Sequence, residues 1–412
     1  MRVQTAFNTM LAIPGAWVTT VSFTPEGVVV GIRLRRRRLR CPCGFSTRAV
    51  YDRSVRRWRH LDLGACRLHL EAEIRRLHCR SCGRVVTEQV PWARPGARLS
   101  RDLEDLIAFC AQRMDKTTVA RLLRVSWASV ARAVVRVVAD HLDAARLDGL
   151  YRIGVDEVSY RKGHRYLTVV ADHDRDGAVV WTDEGRDAQT LTRFFDALGP
   201  KRTKQLEAIS TDMGAGYARA IADQQAAGDL IARVCIDPFH VVKLANEAID
   251  ACRRWAWNEA RRQGADARWI KHTRWALVKD PGTLTTSQRL VLEELRRSRS
   301  VLHRAWQLKE ALRDVYRLRS FGAAHQFLDR WLAWACRSRI PAFVKLSRTI
   351  RAHRDGILAA VELGLSNSKL EGLNSKIRLI NHRGYGHHSA AAVIAMIYLC
   401  CGGITVQLPT ET

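Results

Sequence analysis

The chain has 412 residues, with 68 Lys and Arg against 41 Asp and Glu, a formal net charge of +27 at pH 7. That excess favours a polyanionic partner bound with strong salt dependence, and the length leads us to expect two or three domains with a sizeable core. The 11 cysteines are odd in number and mostly scattered, which argues against a secreted disulfide framework and for a reducing cytosol.

The opening stretch is broken by Asn8, Thr9 and Pro14, so no signal peptide is expected. Trp17 to Phe23 and Val28 to Leu34 alternate as two strands around Thr24-Pro25-Glu26-Gly27. An arginine run from Arg33 to Arg40 leads into Cys41-Pro42-Cys43-Gly44, and Cys79-Arg80-Ser81-Cys82-Gly83 follows later. Two such turns predict a structural zinc ribbon held by Cys41, Cys43, Cys79 and Cys82, stapling a domain too small for its own core. The first turn is C-x-C, one residue short of the usual spacing, so Cys66, His60 or His78 remain alternative ligands. Val55 to Leu77 alternates basic and apolar residues like short strands, and Arg94-Pro95-Gly96-Ala97 reads as a linker.

Leu99 to Leu142 carries a helix-turn-helix pattern. Leu103, Leu106, Ile107 and Cys110 form the first helical stripe, Thr117 to Leu123 the second helix, and Ser126 caps a third from Trp127 to about Val138. Val130, Val134 and Val137 are expected to be buried there, leaving Ser129, Arg132 and Arg136 for DNA.

From residue 151 the pattern becomes strands at Tyr151–Asp156, Tyr166–Asp172 and Ala178–Thr182, a helix at Ala188–Leu198, and a strand at Leu206–Thr211 before Asp212. A helix at Tyr217–Gln225 and a strand at Leu230–Ile236, before Asp237, complete the order βββαβαβ. That order predicts an α/β catalytic core with a ribonuclease-H-like mixed sheet. Long helices follow, with Trp255, Trp257, Trp269, Trp275, Trp306, Trp331 and Trp334. Most of these tryptophans are expected to fill the insertion's own core, and a minority to stack on unpaired bases or support a DNA backbone. The predicted division is 1–95 for the strands and ribbon, 96–148 for the helix-turn-helix and 149–412 for the core, with the helical insertion over about 245–360. Ala390 to Val406 is apolar but interrupted by Tyr398 and Gly402-Gly403, so a buried helix is expected and no membrane association.

Asp156 and Asp212 fall on neighbouring strands in such a sheet, where they would share Mg²⁺ or Mn²⁺. Glu157 competes with Asp156, but strand alternation points the two to opposite faces. Asp172, Asp174, Asp176 and Asp183 also compete, most of them in turns where a solvated loop is the ordinary reading. A helix capped by Ser366 or Asn367 carries Leu370, Leu373, Ile377 and Ile380 as its buried stripe and Glu371, Asn374 and Arg378 on another face. Glu371 becomes the third carboxylate of a two-metal site, with Asn374 near it and Lys376, Arg378 and Arg383 placed to hold phosphates.

The segments CPCG, CRSCG, GVDEVSYRKGHRYLTVVAD, STDMGAGY, IDPFHVVKLAN and SNSKLEGLNSKIRLINHRGYG together resemble the ISL-three family of bacterial insertion-sequence transposases, of the DDE group. The resemblance implies Asp156, Asp212 and Glu371 as the catalytic triad with two metal ions. It also implies that Asp237-Pro238-Phe239-His240 is an Asp-x-x-His signature that brings His240 near the metal site. One departure is the first knuckle, where C-P-x-C is expected. The implied activity is cleavage at terminal inverted repeats followed by strand transfer into double-stranded target DNA. A homo-oligomer on DNA, in the bacterial cytoplasm at the nucleoid, is expected by analogy. The alternatives are a sequence-specific DNA-binding repressor with a silent core and, further off, a host junction or repair nuclease; the complete carboxylate set and the separate recognition domains count against them.

Overall fold

The computed structural model describes residues 2–318, 320–384, 387, 389–409 and 411. Tyr385 and Gly386, at the end of the last motif, lie outside them. Two compact units result: Met1–Asp143 with Ile380–Thr412, and Ala144–Leu379.

In the first unit the opening residues fold as helix α1 (Val3–Leu11). Strands β1 (Ala16–Thr24) and β2 (Gly27–Leu34) form the expected antiparallel hairpin. The short β3 (Leu39–Arg40) and β4 (Ser46–Thr47) pair around the first cysteine turn, and β5 (Asp52–Arg59), β6 (Leu68–His78) and β7 (Val85–Thr87) follow. The sheet order is β1-β2-β6-β5, with β7 on β6 and β2 parallel to β6. Alternation along β6 sends Leu68, Leu70, Ala72 and Ile74 to one core with Val28, Val30 and Trp58.

Helices α2 (Arg101–Ala111), α3 (Lys116–Leu122) and α4 (Trp127–His141) are each capped by the residue before them: Ser100, Asp115 and Ser126. Each cap oxygen accepts an otherwise unpaired N–H of the first turn. Leu103, Ile107, Cys110, Val119, Val130 and Ala133 close the three-helix core. The apolar C-terminal helix, Ala390–Cys401, packs in this unit against α4. Gln112 donates to the Leu399 carbonyl at 2.8 Å. Among the described residues no helix is long and apolar enough to cross a membrane.

The Arg94 to Ala97 stretch is not a slack linker. The Arg94 side chain is buried and donates to Asp140 at 2.7 Å, Asp105 at 2.6 Å and Glu104 at 3.3 Å. Glu104, wholly buried on α2, also accepts from Arg136 Nε at 2.7 Å. A Pro-Gly turn read as punctuation thus anchors the ends of α2 and α4.

The second unit contains β8 (Arg152–Arg161), β9 (Arg165–Asp172), β10 (Ala178–Glu184), β11 (Ala208–Thr211) and β12 (Arg233–Ile236). Their order is β10-β9-β8-β11-β12; the β8-β9-β10 ladder is antiparallel, while β11 runs parallel to both β8 and β12. Helices α5 (Ala188–Leu198), the short α6 (Pro200–Thr203) and α7 (Ala215–Ala226) connect them, and Phe194, Leu191, Tyr217 and Ile221 pack on Ile153, Val155 and Val170. β8 is longer than its apolar run suggests, so Asp156 lies within the strand rather than at its end.

After β12 comes an all-helical segment: α8 (Pro238–Arg262), α9 (Arg268–His272), α10 (Arg274–Val278), α11 (Thr286–Arg297), α12 (Val301–Asp314), α13 (Phe321–Arg337), α14 (Pro341–Ala352) and α15 (Arg354–Leu363). Its core is built mainly from Leu, Ile and Ala with Trp331. Trp257 and Trp306 pack at the margin, whereas Trp255, Trp269, Trp275 and Trp334 are exposed, so most of the seven do not fill this core. Trp255 and Trp257 are two residues apart on one helix, and a 3.6-residue turn cannot bury both on one face. Finally α16 (Ser368–Arg383) carries Glu371.

Glu104→Ala is expected to leave the half-buried Arg136 guanidinium without its acid and to take one of three acids from the buried Arg94, lowering stability by about 3 kcal/mol in chemical denaturation. A loss below ~1 kcal/mol would mean that the cluster does not hold the helices.

Candidate active site

β11 pairs with β8 only through Ala208–Arg152, Ile209–Ile153 and Ser210–Gly154, and then ends. Beyond Gly154, β8 runs on with β9 alone, leaving an open edge beside the turn after Thr211. Asp156 on β8 and Asp212 after β11 meet a cleft of about 580 Å³ there, and Glu371 from α16 lines the same cleft. Glu157 and Asp237 line it too. Alternation does send the Asp156 and Glu157 side chains apart, but both stand at this unflanked edge, so the cleft reaches both. The other acids are engaged elsewhere: Asp172 with Arg175, Asp174 with Arg152, Asp176 with Lys369 and Asp183 with Arg193.

α16 is brought to the sheet by two contacts. Gly154 has no side chain, and a Cβ there would lie 2.7 Å from both Leu370 methyl groups and 2.9 Å from His173 Nε2. Leu370, the residue before Glu371, therefore rests directly on β8. Asn367 supplies the second contact: its N–H donates to Asp237 Oδ1 at 3.0 Å, and its Oδ1 accepts from the Ser210 hydroxyl. His173 Nε2 meets the same hydroxyl at 2.6 Å. Asn367 thus fixes the start of α16 to β11 and to the N-cap of α8. Reading Asn367 as a cap candidate did not anticipate that its side chain bonds across to the sheet.

Asp156 accepts from the Glu157 N–H at 2.8 Å and from Asn374 Nδ2 at 2.6 Å. Burial pushes its carboxyl above the usual range against these hydrogen bonds, and the nearby Asp212 charge adds a smaller push. Burial raises Glu157 as well, opposed by Arg186 at 3.7 Å. Asp212 folds back to accept the Gly214 N–H at 2.8 Å, and a Cβ on Gly214 would crowd its Oδ1 at 2.8 Å. The hydrogen bond from His240 Nδ1 to Asp237 Oδ2, 3.1 Å, holds the His240 imidazolium above its ordinary range. Lys243, one turn on along α8, lines the cleft with Arg378 and Ser375, and sequence reasoning passed Lys243 over. Its i+3 spacing from His240 is the signal that would have found it.

The donor set fits a hard divalent cation: carboxylates line a polar cleft, and among the described residues the buried Asn374 Oδ1 has no hydrogen-bond partner. Glu371 is exposed, and the carboxylates share the cleft without drawing together into a tight cluster; among the described residues only four thiols do that.

Those thiols are Cys41, Cys43, Cys79 and Cys82, all mutually within 4.8 Å. Cys41 to Cys82 is 3.7 Å and Cys43 to Cys79 is 3.4 Å, close to the ~3.8 Å sulfur spacing of a tetrahedral zinc site with ~2.3 Å bonds. The short first turn works because Gly44 N–H closes onto the Cys41 carbonyl, while in the second Gly83 N–H closes onto Cys79 one residue later. Hydrogen bonds from the Arg84 N–H and side chain bring the Cys82 thiol down to about 6, towards the thiolate a metal needs. His60 instead meets Ser100 Oγ at 2.8 Å, His78 lies against Tyr51, and Cys66 is exposed outside the cluster.

Of the expected DNA contacts, Arg132 is exposed and Ser129 half-buried along α4, beside a groove of about 260 Å³. Arg136 also lines it, but its guanidinium is committed to Glu104. Lys376 and Arg378 are exposed on α16, whereas Arg383 donates to the Ala111 carbonyl at 3.0 Å and caps the end of α2.

Comparison with known proteins adds three family matches. A family described as transposase matches residues 153–397, the helix-turn-helix domain of transposase family ISL3 matches 88–138, and the zinc finger of transposases IS204/IS1001/IS1096/IS1165 matches 42–82. The transposase for insertion sequence element IS1557 of Mycobacterium tuberculosis is 40% identical over 410 residues, covering 93% of this chain and 90% of that protein. The transposase for insertion sequence element IS1001 of Bordetella parapertussis is 30% identical over 352 residues, covering 84% of each.

Two outcomes are expected from the site's construction. Purified protein should carry about one zinc ion per chain by elemental analysis, and Cys79→Ser should lose it; full zinc in that variant would move the ligand set elsewhere. Gly154→Ala should destabilise by about 1–3 kcal/mol through overpacking. Adding Leu370→Ala should recover part of the loss, so additive effects in the double-mutant cycle would disprove the contact.

Proposed function

The chain belongs to the ISL3 family of insertion-sequence transposases, and we propose that it cuts and rejoins DNA at the acidic cleft with Asp156, Asp212 and Glu371 as its DDE triad. The observation that carries this reading is the meeting of residues from β8, from the turn after β11 and from α16 in one cleft. The strand order β10-β9-β8-β11-β12, with β11 parallel to the central β8, supports a ribonuclease-H-like core.

In the first step water attacks a phosphorus at the element's end, the P–O3′ bond breaks, and a 3′-hydroxyl leaves. In the second step that 3′-oxygen attacks a phosphorus of target DNA and displaces another 3′-oxygen. Two Mg²⁺ or Mn²⁺ ions, when bound, supply activation of the attacking oxygen and stabilisation of the leaving one. Asp156 and Asp212 are the ligands fixed to the sheet, and Glu371 is the ligand delivered by α16. Asn374 orients the Asp156 carboxylate through its Nδ2 donor. His240, whose imidazolium is favoured by the hydrogen bond to Asp237, stands beside the reacting phosphate. Lys243, Lys376 and Arg378 offer charge for flanking phosphates.

The zinc ribbon and helix-turn-helix recognise the terminal inverted repeats, with Arg132 and Ser129 of α4 at the bases. Arg136 acts from behind, through Glu104, and Arg383 as a helix cap. On this reading residues 1–95 and 96–148 recognise DNA, the core from 149 cuts it while Ile380–Thr412 packs with the first unit, and two ends are held by a homo-oligomer in the bacterial cytoplasm.

A labelled duplex bearing the element's terminal repeat tests this. With Mg²⁺ or Mn²⁺, wild type should nick at the repeat end, and Asp156→Ala, Asp212→Ala and Glu371→Ala should each lose at least ~1,000-fold in rate while still binding. Binding by the wild type without a nick in either ion would leave a repressor.

A further inference from the structure

Arginines in the helical segment are commonly paired. Arg313 meets Asp280 and Glu310, Arg317 meets Asp314, Arg354 meets Asp329, and Arg296 and Arg297 meet Glu293. Others, Arg268, Arg289 and Arg348 among them, form no ion pair among the described residues, and one group of these is gathered in a single place. Arg304 of α12, Arg330 and Arg337 of α13, and Arg339 just after α13 line an open hollow of about 620 Å³ with Trp334. All four are exposed, and among the described residues none of them forms an ion pair.

Arg330, Trp334 and Arg337 follow i, i+4, i+7, so one face of α13 presents an indole between two guanidinium groups. Trp334 is 42% exposed, whereas Trp331, a turn earlier, is 2% exposed and donates from Nε1 to the Leu308 carbonyl. The helix therefore buries one tryptophan and presents the other. A second hollow of about 520 Å³ adjoins the first, sharing Ala333 and Arg337 and ending at Arg351 and at the ion pair of Arg354 with Asp329. The two make a track along α13.

Clustered like charges without counter-ions repel, and an exposed indole loses nothing by being covered. A polyanion with accessible aromatic faces answers both. Duplex DNA offers the phosphates, but its bases are stacked inside; an unpaired strand offers both at once. We infer that the α13 track is a binding site for single-stranded DNA, its arginines on successive phosphates and Trp334 stacked on a base. The inference rests on the reading of this chain as a DNA-processing enzyme, since strands opened beside a cut are the source of such a ligand.

The test uses the full chain and a single-stranded thymidine-rich oligonucleotide with one 2-aminopurine, read by fluorescence quenching and by anisotropy over a range of salt. Trp334→Ala should weaken single-strand binding on the order of 10-fold and relieve the quenching, and Trp334→Phe should keep most of both. Arg330→Ala with Arg337→Ala should shrink the slope of log K against log salt by about 1.4, from about 0.7 per lost phosphate contact. Duplex binding should change little, because it is carried by the first unit.

Unchanged quenching in Trp334→Ala, or an equal loss of duplex and single-strand binding, would overturn the inference. If wild type nicks the repeat duplex but Trp334→Ala leaves single-strand binding intact, the track falls and the nuclease reading stands. If no metal-dependent nick is seen but the Trp334-dependent binding is, the track stands without that reading.

Discussion

Glu371 reaches the cleft because α16 lies directly on β8, and that approach depends on the missing side chain at Gly154. With Leu370 methyl groups where a Cβ would stand 2.7 Å away, the strand and the helix touch backbone to side chain with no room between. The Asn367 clamp sets the helix along the other coordinate, because its N–H binds the α8 cap, Asp237, and its side chain binds Ser210. Ser210 is also the last residue of β11 in register with β8. One small network therefore fixes the strand that delivers Asp212, the helix that delivers Glu371 and the cap that holds His240. Displacing a reacting group by even 1 Å costs about 100-fold in such chemistry, so these packing residues govern the site as strongly as the carboxylates.

Five carboxylates in a single cleft repel one another, and the sheet tolerates this only by supplying partial compensation. Asp156 has two hydrogen-bond donors, Glu157 has Arg186 nearby, Asp237 has His240 and the Asn367 N–H, and Lys243 and Arg378 stand at the rim. Burial still lifts Asp156 and Glu157 above their usual range. Glu371 stays exposed rather than drawn in. A cation entering the cleft would relieve repulsion among groups already held in place, with the aspartates fixed to the sheet and the glutamate exposed at the cleft.

The carboxylate positions were legible because strand runs, turn residues and a capped amphipathic helix are local signals. Strand length was not. β8 extends to Arg161 because β9 pairs with it beyond the apolar stretch, and that places Asp156 mid-strand. Arg94 was read as a linker residue because Pro95-Gly96 dominates the local pattern, while its partners Glu104 and Asp140 lie on two helices downstream. Arg136 and Arg383 looked free for the same reason: periodicity assigns a face, not the acid or carbonyl across from it. The tryptophans misled in the opposite sense. Apolar size favours burial, but the helical core is filled by Leu, Ile and Ala from eight helices, leaving four indoles outside.

The same long-range pairing explains how a chain with a formal charge of +27 folds without tearing its surface apart. Where an arginine has a structural task, a carboxylate meets it: Arg94 and Arg136 at Glu104, Arg354 at Asp329, Arg313 at Glu310. Where no carboxylate does, as at Arg304, Arg330, Arg337 and Arg339, the charge is left for something outside the chain. Part of the surplus is gathered on the rigid face of α13, and part stands along Arg35 to Arg38, in the loop ahead of the first cysteine turn. Long-range attraction brings a polyanion to the whole molecule, and at an uncompensated cluster binding would replace repulsion instead of competing with an existing ion pair.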